Sequence, residues 1–249
     1  MSPSEGVEMK VINSSIIENK LISNRIYKLK VEYTGDIIPG QFFMIKTLDN
    51  SFLLPRPISV HDFNHHEVTF LYRTEGTGTT KMSTMRENDL IQLFGPLGNG
   101  FDLKELKGKT AIIGGGIGVA PLLYLSKVLG KNADVYLGYR NDVYMDDSFR
   151  QYAGNTVVCT EDGCIGEKGF VTDFIDYNNY DAVVTCGPEI MMNKIIEGCR
   201  EHNVKCFVSL ERRMACGMGV CLGCTVETKD GYKRACKDGP VFSADELRC

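Results

Sequence analysis

The pattern of apolar and polar positions changes character once along the chain, near Lys109. Before that point the apolar runs are short and are separated by turn residues such as Pro39-Gly40, a pattern typical of an antiparallel β-barrel or sandwich. The predicted strands are residues 8–12, 25–32, 41–46, 67–72 and 90–94. A short helix is expected after Gly78, and the glycine-rich residues 95–100 favour a domain boundary.

After Lys109 strand-like apolar runs alternate with helical stretches. The predicted strands are residues 110–113, 134–138, 156–159, 181–185 and 205–210, and the predicted helices are residues 119–129, 145–152, 170–176 and 189–201. This alternation predicts a doubly wound parallel sheet of five strands with helices on both faces. The expected fold class is therefore β + α/β, with a barrel domain over residues 1–104, an α/β domain over 105–210 and a small C-terminal subdomain over 211–249.

Composition narrows the range of partners and locations. Hydrophobic residues make up 43% of the 249, which allows a proper core, and the net charge of −4 gives no reason to expect nucleic acid. No apolar run of about eighteen residues is present, so neither a transmembrane helix nor a membrane partner is expected. The first residues, Met-Ser-Pro-Ser-Glu-Gly, lack the basic and apolar regions of an export signal, so a cytoplasmic location is expected.

The candidate chemistry begins with the cysteines near the C-terminus. Four of them follow the spacing C-x4-C-x2-C-x11-C: Cys216, Cys221, Cys224 and Cys236. The first three follow the plant-type spacing of [2Fe–2S] ligands, and the fourth follows a predicted hairpin of residues 225–228 and 232–235. Gly217, Gly219 and Gly223 lie between the ligands, where they can turn freely and bring backbone N–H groups close to the sulfurs. The pattern predicts a [2Fe–2S] cluster.

Two other interpretations of these cysteines stay open, a zinc site with four cysteine ligands and a set of buried free thiols. Outside the cluster, Cys159 and Cys206 are predicted to be core residues, and Cys249 is predicted to be solvated. His61, His65 and His66 are predicted to lie on a solvated turn without a metal role.

A glycine-rich turn follows the first predicted strand of the second half. Its glycines are Gly114, Gly115, Gly116 and Gly118. Glycines after a strand and before a helix let a backbone approach a pyrophosphate, which the helix N-terminus then binds. The acidic residue of the usual dinucleotide fingerprint is absent, since that region reads Gly138-Tyr139-Arg140-Asn141. The alternative is a tight turn with no ligand.

The motif Cys186-Gly187-Pro188 stands at the carboxyl end of the fourth predicted strand. Ligands of open α/β sheets bind outside those ends, so the thiol is a candidate to pack beside a nicotinamide ring. Taken alone, Cys186 is better explained as a core residue.

Three segments of the barrel half form a second candidate site. They are Arg56-Pro57-Ile58-Ser59, Leu71-Tyr72-Arg73 and Gly76-Thr77-Gly78-Thr79. The Arg56 fork suits a diphosphate, and Ser59 can hydrogen-bond a ring atom. Tyr72 can stack on an aromatic ring, and the glycines and hydroxyls near Gly78 predict a second phosphate contact. An exposed strand edge is the alternative for the first segment.

Taken in order, these segments resemble the ferredoxin reductase family of flavoproteins, and with the C-terminal cysteines they resemble the electron-transfer subunits of B-type dihydroorotate dehydrogenase. The strings that carry the resemblance are Leu-Leu-Pro-Arg-Pro-Ile-Ser, Phe-Gly-Pro-Leu-Gly-Asn-Gly-Phe, Glu-Arg-Arg-Met-Ala-Cys-Gly-Met-Gly-Val-Cys and Cys-Lys-Asp-Gly-Pro-Val-Phe. It covers residues 7 to 245, and the cysteine segment is its most specific part.

The resemblance implies three cofactors: FAD, a [2Fe–2S] cluster and NAD. The implied FAD contacts are Arg56, Pro57, Ile58, Ser59, Leu71, Tyr72, Arg73, Gly78 and Thr79; the implied NAD contacts are Gly114, Gly115, Gly116, Gly118, Cys186, Gly187 and Pro188; the implied cluster ligands are the four clustered cysteines. It also implies an FMN-containing dihydroorotate dehydrogenase catalytic subunit as partner, in a heterotetramer of two copies of each. No catalytic acid or base is then needed on this chain, which passes electrons to NAD⁺ in pyrimidine biosynthesis. Two alternatives are a reductase subunit of another redox complex, using NAD(P)H and ferredoxin, and a zinc-stabilised interaction module. NAD is preferred over NADP on the resemblance alone.

Overall fold

The computed structural model describes residues 10–49 and 51–248. The start of the first predicted strand and the expectation for Cys249 lie outside this range. The described chain forms two compact units. One contains residues 10–49 and 51–100 with Glu211–Val226 and Tyr232–Pro240, and the other contains Phe101–Leu210, Glu227–Gly231 and residues 241–248. The domain bounds predicted at residues 104 and 210 stay a prediction.

The first unit is built on a closed antiparallel barrel, as the sequence predicts. Its strands are β1 (Lys10–Ser23), β2 (Ile26–Glu32), β3 (Phe42–Thr47), β4 (Arg56–Phe63), β5 (Glu67–Arg73) and β6 (Leu90–Leu97), and a short helix, α1, spans Thr77–Ser83. Around the barrel the strand order is β1-β2-β5-β4-β3-β6.

Strand β1 is longer than predicted because it pairs with two different neighbours. Its first six residues, from Lys10, pair with β6, and its remainder pairs with β2 across two register shifts. Each shift breaks the two-residue alternation that marks a strand in sequence. The single strand therefore closes the barrel, although its middle is rich in polar residues.

Aromatic side chains fill the barrel interior. Phe43 and Phe70 are fully buried, with ring centroids 5.6 Å apart, and Tyr33 packs edge-on against Phe43 at 5.2 Å. Burying one side chain of this size contributes about 1.5–3 kcal/mol. The prediction for His61 was wrong: it lies within β4 and is fully buried, whereas His65 and His66 are exposed.

The second unit contains the predicted parallel sheet. The further strands of the chain are β7 (Thr110–Gly115), β8 (Ala133–Tyr139), β9 (Asn155–Thr160), β10 (Glu167–Lys168), β11 (Ala182–Cys186), β12 (Lys205–Ser209), β13 (Thr225–Thr228), β14 (Gly231–Arg234) and β15 (Val241–Ser243). The sheet order is β10-β9-β8-β7-β11-β12-β15, and β13 pairs only with β14. All five predicted strands are present and parallel. Two short edge strands, parallel β10 and antiparallel β15, were not predicted because a strand of two or three residues has no recognisable period.

The helices of this unit are α2 (Leu123–Leu129), α3 (Asp146–Tyr152) and α4 (Glu189–Glu201). Helix α2 contacts α3, whereas α4 contacts the short 3-10 turn Val171–Phe174, so two helical layers cover the sheet. Two predicted helices are shorter than expected. Residues 116–122 form a 3-10 helix containing Pro121, which has no N–H to donate, and residues 170–176 contain only the 3-10 turn.

The winding direction reverses between β7 and β11. The chain moves outward from β7 through β8 to β9, then returns to place β11 on the other side of β7. Every residue of β7 and of β11 is buried, as expected for strands covered on both faces. In such sheets ligands bind at this reversal point, outside the carboxyl ends of the strands. In the described residues no helix has the length and apolar content needed to span a membrane.

Candidate functional site

The clustered cysteines lie on an irregular loop followed by the hairpin β13–β14. We call residues 216–224 the ligand loop; Cys236 follows β14, as predicted. Three loop residues have left-handed backbone conformations: Gly217 at φ +71°, Gly219 at +81° and Leu222 at +59°. These turns bend the loop back on itself, so that its amides point toward sulfur atoms.

Each of the four sulfurs accepts a backbone hydrogen bond. The N–H groups of Met218, Gly219, Gly223 and Cys236 donate to the Sγ atoms of Cys216, Cys236, Cys221 and Cys224, at 3.5, 3.1, 3.5 and 3.4 Å respectively. Amide donors around four sulfurs offset negative charge on thiolates and on a cluster that they hold. The donor set therefore fits a [2Fe–2S] cluster.

The four candidate ligands differ in exposure and acidity. Cys224 and Cys236 are buried, Cys216 is half-buried and Cys221 is exposed. Burial opposes ionisation of Cys216, but loop N–H groups, first that of Cys221, outweigh it and lower its pKa to about 6. Burial and the adjacent Cys224 raise the pKa of Cys236. Because ligation requires thiolates, binding of a cluster would release the proton of Cys236.

Within residues 10–49 and 51–248, no group of three or more His, Cys, Asp or Glu side chains is gathered closely enough to hold a single metal ion.

The ligand loop is seated on the barrel through Gly217. A Cβ atom there would lie 2.7 Å from Met44 Cγ on β3 and 3.0 Å from Leu97 Cδ1 on β6. The segment after Cys236 is also attached, since Asn99 N donates to Gly239 O at 2.6 Å and Asn99 Nδ2 donates to Asp238 O at 3.2 Å. Both parts of the cysteine site are therefore fixed to the strands and loops of the first unit.

A second candidate site is an opening in the barrel wall. Strands β4 and β5 are paired from Phe63↔Val68 only as far as Val60↔Phe70. Beyond that point residues 56–59 pair with β3 and residues 71–73 pair with β2. The two predicted segments therefore lie where strands β4 and β5 separate.

Arg56 is positioned at one end of this opening. Its Nη1 donates to Leu54 O at 2.6 Å, and its guanidinium lies 4.9 Å from the centre of the Phe52 ring. A Cβ atom on Gly78 would lie 2.6 Å from Arg56 Nε, so only glycine allows the guanidinium to rest against α1. The structure thus brings two separately predicted phosphate contacts together. Phe52 was not predicted from the sequence as part of this site, because nothing in the residues around it indicates a contact with Arg56.

Two other predicted residues have internal partners. Tyr72 is buried, stacks on Tyr27 at 5.5 Å and donates its hydroxyl to Asn19 Oδ1 at 3.0 Å. The Thr79 hydroxyl accepts the N–H groups of Glu75 and Gly76 at 3.0 and 3.2 Å. Both residues therefore shape the walls and the turn of this site.

The third candidate site lies at the reversal point of the sheet. Gly114 of β7 and Cys186 of β11 are paired directly, which places the glycine turn beside the Cys186-Gly187-Pro188 turn. A Cβ atom on Gly118 would lie 2.4 Å from Cys186 O and 2.5 Å from Gly187 Cα. Glycine is required because the two backbones are in contact.

Met191 is part of this arrangement and was missed. Its Sδ would lie 2.6 Å from a Cβ on Gly115, and its Cε 2.7 Å from a Cβ on Gly187, so it packs over both turns. A methionine in the first turns of a helix gives no signal by type alone. Cys186 is buried beneath the turns, with 1% of its surface exposed.

The chain combines a six-stranded barrel of this topology, an α/β sheet with a glycine turn at its reversal point, and a four-cysteine loop. This combination defines a ferredoxin-reductase-like oxidoreductase component. The comparison with solved structures supports this class. The chain superposes with a TM-score of 0.85 on the NADH-dependent reduced ferredoxin-NADP oxidoreductase, a structure described for flavin-based electron bifurcation, at 28% identity over 94% of this chain and 89% of that chain. A ferredoxin NADP+ reductase from Neisseria gonorrhoeae shares the fold, with a TM-score of 0.65, 13% identity and coverage of 78% and 92%.

The sequence comparisons are more specific. Residues 211–248 match the family model of the iron-sulfur cluster binding domain of dihydroorotate dehydrogenase B. The dihydroorotate dehydrogenase B (NAD(+)) electron transfer subunit of Clostridium perfringens is 46% identical over 96% of this chain and 98% of its own length. That of Clostridium acetobutylicum is 45% identical over 93% and 95%. The chain belongs to the family of dihydroorotate dehydrogenase B electron transfer subunits, and the resemblance found in its sequence is confirmed.

Proposed function

We propose that this chain carries electrons from a dihydroorotate-oxidising partner to NAD⁺, with a [2Fe–2S] cluster at the ligand loop and FAD at the barrel opening. The observation that carries the proposal is the set of four sulfurs, each of which accepts at least one backbone N–H. FAD, when bound, can exchange electrons singly or in pairs, and so connects a one-electron centre with two-electron nicotinamide chemistry. The chain itself supplies binding, orientation and electrostatics.

The cluster ligands are Cys216, Cys221, Cys224 and Cys236. Cys221 is the exposed member of this set, whereas Cys224 and Cys236 are buried. An exposed ligand shortens the path for an electron between the cluster and a docked protein. The loop amides stabilise the negative charge that an added electron brings.

The barrel opening is proposed to hold FAD. The Arg56 fork and the backbone near Gly78 and Thr79 bind the diphosphate, since they meet at one end of the opening. Residues 57–59 of β4 and 71–73 of β5 lie on the two separated strands and contact the ring system of FAD. Ser59 offers the hydroxyl for a ring nitrogen, and the buried Tyr72 fixes the β5 wall.

The two turns at the sheet reversal are proposed to bind NAD(H). Gly114, Gly115, Gly116 and Gly118 supply the backbone of one turn; Cys186, Gly187 and Pro188 supply the other. Their location outside the carboxyl ends of β7 and β11 is where open α/β sheets bind ligands.

The partner is proposed to dock at the ligand loop. Three apolar side chains between the ligands are exposed: Met218 by 49%, Val220 by 74% and Leu222 by 62%. Exposed apolar side chains gathered in one place mark interaction surfaces. The relatives are named as electron transfer subunits, which implies a separate catalytic subunit as partner. We propose that this partner holds FMN and oxidises dihydroorotate. We also propose that two copies of each chain assemble in the cytoplasm, where ligand thiols stay reduced.

The test replaces the exposed ligand in the full-length, cofactor-loaded protein. Cys221→Ser should lower dihydroorotate-dependent NAD⁺ reduction with the FMN subunit by about tenfold or more, because a damaged ligand set interrupts the path. Reduction of the bound FAD by NADH should change little. Stopped-flow absorbance of the flavin and steady-state NADH formation measure the two activities separately.

Cys164→Ser is the matched control, since Cys164 is also an exposed cysteine but its Sγ contacts Asn141 O in the other unit. It should leave both activities unchanged. Loss of both activities in a folded, FAD-loaded Cys221→Ser protein would contradict the proposed order of the centres.

A second candidate function is that of a reductase subunit for ferredoxin, favoured by the 0.85 TM-score to the ferredoxin-NADP oxidoreductase. Mixing the chain with either the FMN subunit or reduced ferredoxin distinguishes the two. NADH formation supported by ferredoxin and not by dihydroorotate would replace the first proposal with the second.

A further inference from the structure

The segment that carries Cys236 is closed by one arginine. Arg234 Nε lies 2.8 Å from Asp238 Oδ2, and Arg234 Nη2 donates to Asp238 Oδ1 at 3.1 Å, a two-point pairing of fork and carboxylate. Arg234 N also donates to Asp238 Oδ2 at 2.7 Å. The Arg234 carbonyl oxygen accepts hydrogen bonds from the N–H groups of Lys237, Asp238 and Gly239, at 3.1, 2.7 and 3.3 Å. Residues 234–239 thus form a closed turn around Cys236.

The same guanidinium reaches the ligand loop. Arg234 Nη1 donates to Gly219 O at 3.3 Å, and Gly219 N donates to Cys236 Sγ at 3.1 Å. Gly219 is therefore held on both sides, its carbonyl by Arg234 and its amide by the sulfur. A Cβ atom on Gly219 would lie 3.4 Å from Arg234 Nη1 and 3.0 Å from Lys237 Cδ, which shows how closely the two segments approach.

The guanidinium also brings charge to the buried ligands. Arg234 Nη1 contacts the carbonyl oxygen of Gly219, and the amide of that same residue donates to the buried Cys236 Sγ, so the cation lies one residue away from a buried sulfur. The Arg234 and Asp238 side chains are only 32% and 27% exposed, so water screens this charge incompletely. Reduction adds one negative charge to a cluster, and nearby positive charge and N–H···S bonds favour the reduced state.

We propose that Arg234, anchored by Asp238, is a positioning residue that fixes the Gly219 amide on Cys236 and raises the reduction potential of the [2Fe–2S] cluster. This inference rests on the proposed function only in requiring that the cluster is bound. It concerns how readily the centre accepts an electron, and Arg234 is not itself a ligand.

The experiment measures the cluster's midpoint potential in the full-length protein by redox titration followed by electron paramagnetic resonance. Arg234→Gln removes the charge and cannot span to Gly219, so the one-electron reduction constant should fall about tenfold, equivalent to about 59 mV. Arg234→Lys keeps the charge without the fork, and Asp238→Asn keeps the arginine with a weaker anchor. Both should lower the potential by less.

A second readout follows the amide itself. In deuterated buffer, electron–nuclear double resonance counts exchangeable hydrogens coupled to the reduced cluster, and Arg234→Gln should weaken or remove the coupling assigned to Gly219 N–H. Arg150→Gln is the matched control, because Arg150 and Asp146 form a pair at the same i,i+4 spacing on α3. It should change neither readout.

The outcomes separate this inference from the proposed function. A wild-type protein without two irons and two sulfides per chain contradicts the proposed function. A loaded wild-type protein whose potential is unchanged by Arg234→Gln overturns the inference alone. If that variant fails to bind the cluster, Arg234→Lys and Asp238→Asn decide: lowered potentials support the inference, and wild-type potentials overturn it. Loss of the cluster from all three variants also overturns it, since Arg234 would then be needed for holding the cluster and not for setting its potential.

Discussion

The ligand loop and the turn after β7 are both rich in glycine, and Gly217 and Gly219 of the loop are required for a different physical reason from Gly118 of the turn, although Gly116 of that turn is also left-handed, at φ +56°. In the ligand loop Gly217 and Gly219 have positive φ values, +71° and +81°, which other residues adopt only with strain. In the turn after β7, Gly118 has no positive φ, but a Cβ there would lie 2.4 Å from a backbone oxygen. Gly217 and Gly219 are needed because the backbone is left-handed there, whereas Gly118 is needed because no Cβ atom fits at its position.

This difference corresponds to what each segment has to present. The ligand loop must turn its amides inward to sulfur while leaving apolar side chains outside. In the proposed function, the turn after β7 must let two backbones meet at the place where NAD(H) is proposed to bind. Two segments with similar glycine content therefore differ in why a substitution is harmful. In one the backbone conformation would be strained, and in the other a side chain would clash, and mutations can distinguish the two.

The largest effect of a substitution on stability and NADH binding is expected at Gly118, where a side chain has no room. Gly118→Ala places a methyl group against Cys186 O and Gly187 Cα, backbone atoms that cannot rotate away. Overpacking of this kind costs about 1–3 kcal/mol, and separation of the turns should weaken NADH binding by about tenfold. Thermal unfolding and NADH titration of the flavoprotein measure the two effects. Unchanged NADH affinity in the variant would mean that this turn does not bind the dinucleotide.

A smaller effect on stability is expected at Gly217, where the backbone is left-handed. Gly217→Ala forces a Cβ into the left-handed region and against Met44, whose flexible side chain can partly move aside. The expected cost is about 1–2 kcal/mol, with a lower iron content, because the loop no longer holds its amides in place. Iron analysis and thermal unfolding provide the measurement.

Gly223→Ala is the control within the same loop. Gly223 has no positive φ, and its Cβ would meet only Cys221 Sγ at an ordinary 3.6 Å. This variant should match the wild type within about 0.5 kcal/mol. Equal losses for the two alanine variants would show that conformation is not what distinguishes Gly217.

The smallest effect is expected at Leu222, and its sign is opposite. This side chain is 62% exposed and its backbone is left-handed, at φ +59°. Leu222→Gly should relieve strain and raise the stability of the chain by up to about 1 kcal/mol. If the loop docks the partner, the same change should weaken that association several-fold, measured by titrating the FMN subunit. A more stable variant with unchanged partner affinity would remove Leu222 from the docking surface.

Much of the architecture was predictable because short-range periodicity carries it. The five parallel strands and α4 stand out as apolar runs with flanking turns, and the cysteine spacing alone indicated the candidate ligands. His61 shows where this approach fails. A histidine next to an aspartate reads as polar, but His61 lies within β4 and is fully buried, so the fold decided its burial.

The sequence by itself determined which segments have which chemistry: four thiols on a glycine loop, two glycine turns after strands, and an arginine at the start of a strand. These follow from residue types and spacings within a few positions of one another. The tertiary structure alone decided which of these segments meet. It set Arg56 against Gly78, Gly118 against Cys186, and Arg234 against Gly219. Such contacts join residues 15 to 68 positions apart, and they depend on how the strands and loops are arranged in space, which no local pattern encodes.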